Sequence, residues 1–194
     1  MGRNWKAALL VGAVVLAASA AVGCSAGTVS VSAAAGTDAA VKRGEYLVKM
    51  IGCSDCHTPM KLGPNGPEPD TARFLAGHPE QMGTLPPAKP QGPWLWSGAA
   101  TNTAFAGPWG ISYAANLTPD RNTGLGIWDE AMFVKAIRTG RHMGTSREIL
   151  PPMPWPAFRN ASDDDLKAIY AFLCSLKPIV NHVPDAQPPA AATH

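Results

Sequence analysis

The chain has 194 residues, room for one domain of ordinary size with a leader and tails, and its 16 basic and 14 acidic residues leave a formal charge of +2. Arg3 and Lys6 fall in the N-terminal leader, so the rest of the chain is balanced. No basic surface for nucleic acid is implied, and that class of function is excluded.

The first segment is a short basic stretch followed by an apolar run from Ala8 to Val22, with small residues crowding its end at Ala18, Ser19, Ala20 and Ala21. This is the pattern of a secretory signal: the run is short for a membrane span, and small residues suit cleavage. Cys24 directly after Val22-Gly23 sits where bacterial lipoproteins are cleaved and acylated, although Ala21 stands where leucine is usual. Acylation at Cys24 would tether the mature protein to a membrane; plain cleavage would release it. Residues 1–24 are thus read as a signal peptide, and residues 25–37, uncharged and rich in Ala, Ser, Gly and Val, as a flexible linker.

The domain is placed at residues 38–180. Thr37 or Asp38 is expected to cap a first helix whose positions Gly44, Leu47, Val48 and Ile51 recur at helical spacing. That helix feeds into Cys53-Ser54-Asp55-Cys56-His57. Two thiols three apart lie on one helical turn, and the adjoining histidine sits beside whatever they hold. The arrangement predicts one covalent haem c, with Cys53 and Cys56 as thioether ligands to its vinyl groups and His57 as an axial ligand to its iron. A dithiol redox site would need a strand-helix-strand setting, and the flanks here are helical before and Pro/Gly-rich after. Zinc would need about four ligands, and only Cys24 and the distant Cys174 remain.

From Thr58 to Gly110 ten prolines with interspersed glycines rule out any long regular element. A helical turn near Thr71 to Ala76 is expected there, and Trp94, Trp96, Phe105, Trp109 and Tyr113 suit a short hairpin or covering flap. Asp129 is expected to cap a second helix bearing Glu130, Phe133, Val134 and Ile137 and ended by Gly140. The last helix starts at Ser162, with Asp163, Asp164 and Asp165 in its first turn and Leu166, Ile169, Tyr170 and Leu173 on its apolar face. Cys174, at the margin of that face, reads as a buried core thiol, with an intermolecular disulfide as the alternative. Residues 181–194, rich in Pro and Ala, read as a loose tail.

The second axial position separates a carrier from a catalyst. Met60, Met82, Met143, Met153, His78 and His142 are the candidates. Met153 is the best placed: Pro151, Pro152, Pro154 and Pro156 stiffen the backbone around a soft side chain and reduce the entropy lost on ligation.

These residues together resemble the monohaem c-type cytochromes, class I cytochrome c domains, and most closely the single modules of cytochrome subunits of bacterial periplasmic dehydrogenases. The resemblance rests on Gly44-Glu45-Tyr46-Leu47-Val48, the cysteine-histidine motif with Thr58-Pro59, Asn116-Leu117-Thr118-Pro119-Asp120, Thr123-Gly124-Leu125-Gly126-Ile127-Trp128, Pro151-Pro152-Met153-Pro154 and the final helix. It implies an all-α cytochrome c fold wrapped around one haem, with the 58–116 region as a long Pro/Gly/Trp-rich insertion. The first and last helices would cross at Gly44 and Tyr170. It implies a protein that is not an enzyme but transfers one electron in the periplasm or at its membrane. The partners implied are redox proteins as donor and acceptor, such as a periplasmic dehydrogenase or a terminal oxidase. Two departures stand: such subunits usually carry three modules where this chain has one motif, and the insertion is long. The alternative is a haem sensor or peroxidase-like protein with an open or labile sixth position.

Overall fold

The computed structural model describes residues 31–88 and 92–189, with side chains from residue 37 onward. The leader with Cys24, the start of the linker and residues 190–194 lie outside the described residues. The helices are α1 (Val31–Met50), α2 (Cys53–His57), α3 (Glu130–Thr139), α4 (Trp155–Phe158) and α5 (Asp163–Ser175). Five short strands lie between α2 and α3: β1 (Met60–Gly63), β2 (Gly66–Pro69), β3 (Ser97–Gly98), β4 (Ala104–Gly107) and β5 (Gly110–Tyr113).

Helix α1 is already helical at Val31, the first described residue, so neither Thr37 nor Asp38 is its cap and part of the 25–37 stretch is helical. Ala33, Ala34 and Ala35 explain the difference: composition that suits a linker also has the highest helix propensity. The other two helix starts follow expectation. The Asp129 side chain accepts from the Met132 N–H at 2.7 Å, and Ser162 Oγ accepts from the Asp165 N–H at 3.1 Å. Gly140 ends α3 with φ +67°, and a side chain there would run into the Trp155 ring.

The core gathers Leu47 and Val48 of α1, Leu125 and Trp128 before α3, Phe133 and Ile137 of α3, and Leu166, Ile169, Tyr170, Phe172 and Leu173 of α5. Each fully buried Val or Leu side chain contributes about 1.5–3 kcal/mol. Helices α1 and α5 pack along one another, tied at the surface by Arg43 and Asp165 at 3.0 Å. Their close approach is at Gly44, but against Ala168 and Phe172 rather than Tyr170. Residues 168 and 172 share one face of α5, and Tyr170 lies on another. There it packs on Phe133, with ring centroids 5.6 Å apart, and donates its hydroxyl to the Trp128 carbonyl at 2.6 Å.

The insertion is not structureless, and the chain is therefore not purely helical. β1 and β2 form an exposed hairpin, while β3, β4 and β5 form an antiparallel sheet in which Phe105 opposes Ser112 and Ala106 opposes Ile111. The prolines that forbid long elements still permit short edge strands, and Gly110, at φ +94°, supplies the turn that Pro108-Trp109 requires. A helical turn does form at Thr71–Arg73.

Beyond α5, where composition suggests a loose tail, Asn181 and Gln187 are tied to the domain. Asn181, 5% exposed, donates to the carbonyls of Ala76 at 2.7 Å and His78 at 2.9 Å and accepts from the Glu80 N–H at 2.9 Å. Gln187 pairs with Ile111 through backbone bonds of 2.9 Å in both directions. Composition predicts looseness, but a polar side chain that satisfies three otherwise unpaired backbone groups overrides it. Cys174 also departs from expectation: it is half-buried at the margin of the core and not fully buried.

Candidate haem-binding site

The site is built on α2. Gly52 enters it in the left-handed conformation, φ +75°, where a side chain would meet the Asp55 carboxylate. The five residues that follow make one turn, with the Thr58 N–H closing on the Ser54 carbonyl at 3.0 Å. Cys53 and Cys56 are therefore one helical turn apart, both half-buried and both free thiols. Burial pushes the Cys53 thiol up to about 11 and raises that of Cys56 as well. Both are thiols, not thiolates, at neutral pH.

The insertion and the segment after it clamp α2 from several sides. Thr58 Oγ1 accepts from the Leu75 N–H at 3.0 Å, and the His57 carbonyl accepts from the Gly77 N–H at 2.7 Å. Asn102 donates its side-chain amide to the Asp55 carbonyl at 2.7 Å. Gly77 is placed so tightly that a side chain would strike the carbonyls of Ala114 and Ala115.

The His57 ring is fixed by its Nδ1–H, which donates to the Ala115 carbonyl at 2.7 Å. The tautomer is thereby set: the acceptor lone pair is on Nε2, which has no hydrogen-bond partner among the described residues. Burial lowers the pKa of the imidazole, and the Ala115 bond opposes that effect in part. A neutral imidazole with a free Nε2, held beside two free thiols one turn apart, fits the donor set that a c-type haem needs.

The other candidate ligands lie in different settings. His78 is fully buried, with both ring nitrogens engaged: Nδ1 with Thr103 Oγ1 at 2.9 Å and Nε2 with the Gly83 carbonyl at 3.1 Å. The His142 ring stands edge-on to Trp128, centroids 4.9 Å apart. Met60 lies in β1, and Met82 ends an exposed helical turn. Met143 adopts φ +53° and packs on the core, as Met153 also does. Met153 closes a turn on the Leu150 carbonyl at 3.3 Å, and Ser112 donates to the Pro151 carbonyl within that turn at 2.6 Å.

Residues outside the motif that set its geometry carry little signal in the sequence. Ala115 contributes through its carbonyl, which every residue has, so no side-chain pattern could mark it. Ser112 is one serine among many, and only the pairing of β5 points it inward.

No protein-family model matches the chain. It is 30% identical over 189 residues to the cytochrome c subunit of an alcohol dehydrogenase (quinone) from Gluconobacter oxydans, covering 95% of this chain and 30% of that one. It is 32% identical over 167 residues to the gluconate 2-dehydrogenase cytochrome c subunit of Pantoea cypripedii, covering 84% of this chain and 30% of the relative. The fructose dehydrogenase cytochrome subunit of Gluconobacter japonicus matches at 28% over 150 residues, 77% of this chain and 24% of that protein. The chain thus spans less than a third of the length of each of these relatives. Over nearly its whole length, the chain is thus similar to about a third of each of these cytochrome c subunits of bacterial dehydrogenases.

Proposed function

We infer that the protein is a one-electron carrier for a single haem c, which Cys53 and Cys56 would bind and His57 and Met153 would ligate. When bound, haem c supplies a ferric/ferrous couple. The chain's own residues do the rest. Cys53 and Cys56 would anchor the group covalently and keep it from dissociating in either oxidation state. His57 would present Nε2 in one orientation, because Ala115 holds its Nδ1–H. Met153, from a turn with two proline residues at its centre, would present a thioether, which raises the reduction potential and leaves no open position for a substrate.

The observation that carries this reading is the His57 to Ala115 bond beside two free thiols: a tautomer fixed for metal ligation with the attachment groups one turn away. The donor would be the catalytic subunit of a dehydrogenase, as the names of the relatives suggest, and the acceptor a further redox protein or a terminal oxidase. The apolar leader would take the chain to the periplasm, where attachment is completed, and acylation at Cys24 would keep it at the membrane. Mass spectrometry of the mature protein tests both points. One haem added to the polypeptide, together with a lipid on Cys24, is expected; no added haem, or a haem removed by acid acetone, overturns covalent attachment.

A further inference from the structure

The turn that carries Met153 has few polar handles. It runs from Leu150 to Met153, and its two central residues, Pro151 and Pro152, have no N–H with which to anchor it. Among the described residues the hydrogen bond that reaches the carbonyls of those two prolines comes from Ser112, whose Oγ lies 2.6 Å from the Pro151 oxygen. Ser112 is 8% exposed and sits on β5 opposite Phe105. The Phe105 carbonyl, at 3.4 Å, is too far to compete for its single proton.

Three residues further on, Ala115 accepts from His57. One extended stretch, 112–115, is thus bonded both to the proximal imidazole and to the turn bearing the methionine. The stretch is itself held in the sheet by the Ala114 N–H on the Thr103 carbonyl at 2.8 Å. On the methionine side the bond is made to the backbone of the turn and not to Met153 itself. The spacing between the two sides therefore depends on a residue that touches neither ligand's donor atom.

We propose that Ser112 is a positioning residue for Met153, holding its turn at a fixed distance from His57 through the Pro151 carbonyl. The inference rests on the ligation proposed above and deepens it. Loss of the hydroxyl leaves Met153 chemically intact but frees the turn, so the fraction of protein with the thioether off the iron rises about fivefold, the worth of one ordinary hydrogen bond. Ser112→Thr would keep a hydroxyl in a strand position that tolerates a β-branched side chain.

The test compares the parent holoprotein with Ser112→Ala and Ser112→Thr. Three readouts are followed: the iron-to-thioether absorption band on heating, helix content by circular dichroism over the same range, and carbon monoxide association with the ferrous protein. Ser112→Ala is expected to lose the band at a lower temperature while its helices melt as in the parent. Its carbon monoxide association is expected to be about fivefold faster, and Ser112→Thr should restore both values. A Ser112→Ala protein indistinguishable from the parent overturns the inference, and so does a band that is lost only together with the helices, which would make Ser112 merely structural. A parent protein without the band overturns the ligation by Met153, and this inference falls with it.

Discussion

Gly44 lies against Ala168 so closely that a methyl group on Gly44 would overlap the Ala168 carbonyl oxygen and press on Cβ of Phe172. Two opposing effects meet at this position. Alanine in a helix interior is favoured over glycine by about 1 kcal/mol, whereas forcing an extra carbon into a packed interface costs about 1–3 kcal/mol, more where the obstacle is backbone.

The steric effect should win. Gly44→Ala is expected to destabilise the protein by about 2 kcal/mol or more and to lower the melting temperature by about 5 °C. Equilibrium urea unfolding of the holoprotein checks this. A variant as stable as the parent would show that α1 and α5 can separate without loss.

How far the sequence reveals this fold depends on where the decisive groups reside. Helical spacing at Leu47, Val48, Phe133, Ile137, Leu166 and Leu173 foretells the core, because side chains carry that information. Caps at Asp129 and Ser162 are legible for the same reason. Cys53, Cys56 and His57 fall on one helical turn, as their spacing implies. The face of α5 that meets Gly44 is harder to read because two aromatic residues, Tyr170 and Phe172, compete there, and which one faces α1 is a matter of helix phase. Asn181 is hidden in a Pro/Ala-rich tail, since its partners, the carbonyls of Ala76 and His78, lie about a hundred residues away and have no side-chain signature. The two small sheets are hidden because strands of four residues or fewer produce almost no alternation.

His78 is expected to give the protein a pH dependence that involves neither His57 nor Met153. Burial lowers its pKa from the ordinary value of 6.5, while the Gly83 carbonyl, accepting from Nε2, opposes the shift. The unfolded chain therefore binds a proton at this residue before the folded chain does. Stability should be level above about pH 6.5 and should fall as the pH drops through the lowered folded value, at no more than about 1.4 kcal/mol per pH unit for one proton. His142, lowered by burial and by Arg147, adds a slope of the same sign. His78→Gln keeps a donor and an acceptor without the titration, so it should flatten the slope in part. Chemical denaturation at a series of pH values between 5 and 8 reads the effect, and an unchanged slope would mean that His78 accepts a proton in the fold as readily as in the unfolded chain.

Met153→Ala separates the electron carrier from a haem protein with an open site. Three consequences are expected together if the thioether is the second axial ligand. The iron-to-thioether band disappears, because the sulfur that gives rise to it is gone. The reduction potential falls, because a thioether favours the ferrous state more than the water or nitrogen ligand that replaces it. Carbon monoxide binds the ferrous variant quickly, whereas the parent, with its coordination closed, resists it. Covalent haem should be retained, since Cys53 and Cys56 are untouched and the His57 to Ala115 bond does not involve the methionine turn. The variant is also expected to lose some stability, because Met153 is partly buried against the core and its removal leaves a gap worth about 2–5 kcal/mol if fully enclosed, less at this half-buried site. Melting followed by circular dichroism keeps that loss apart from the ligand effect. A parent protein that binds carbon monoxide as fast as Met153→Ala would favour the sensor or peroxidase-like alternative. Retention of the band in the variant would move the ligand to Met143, which packs on the same core cluster and already holds an uncommon backbone conformation at φ +53°.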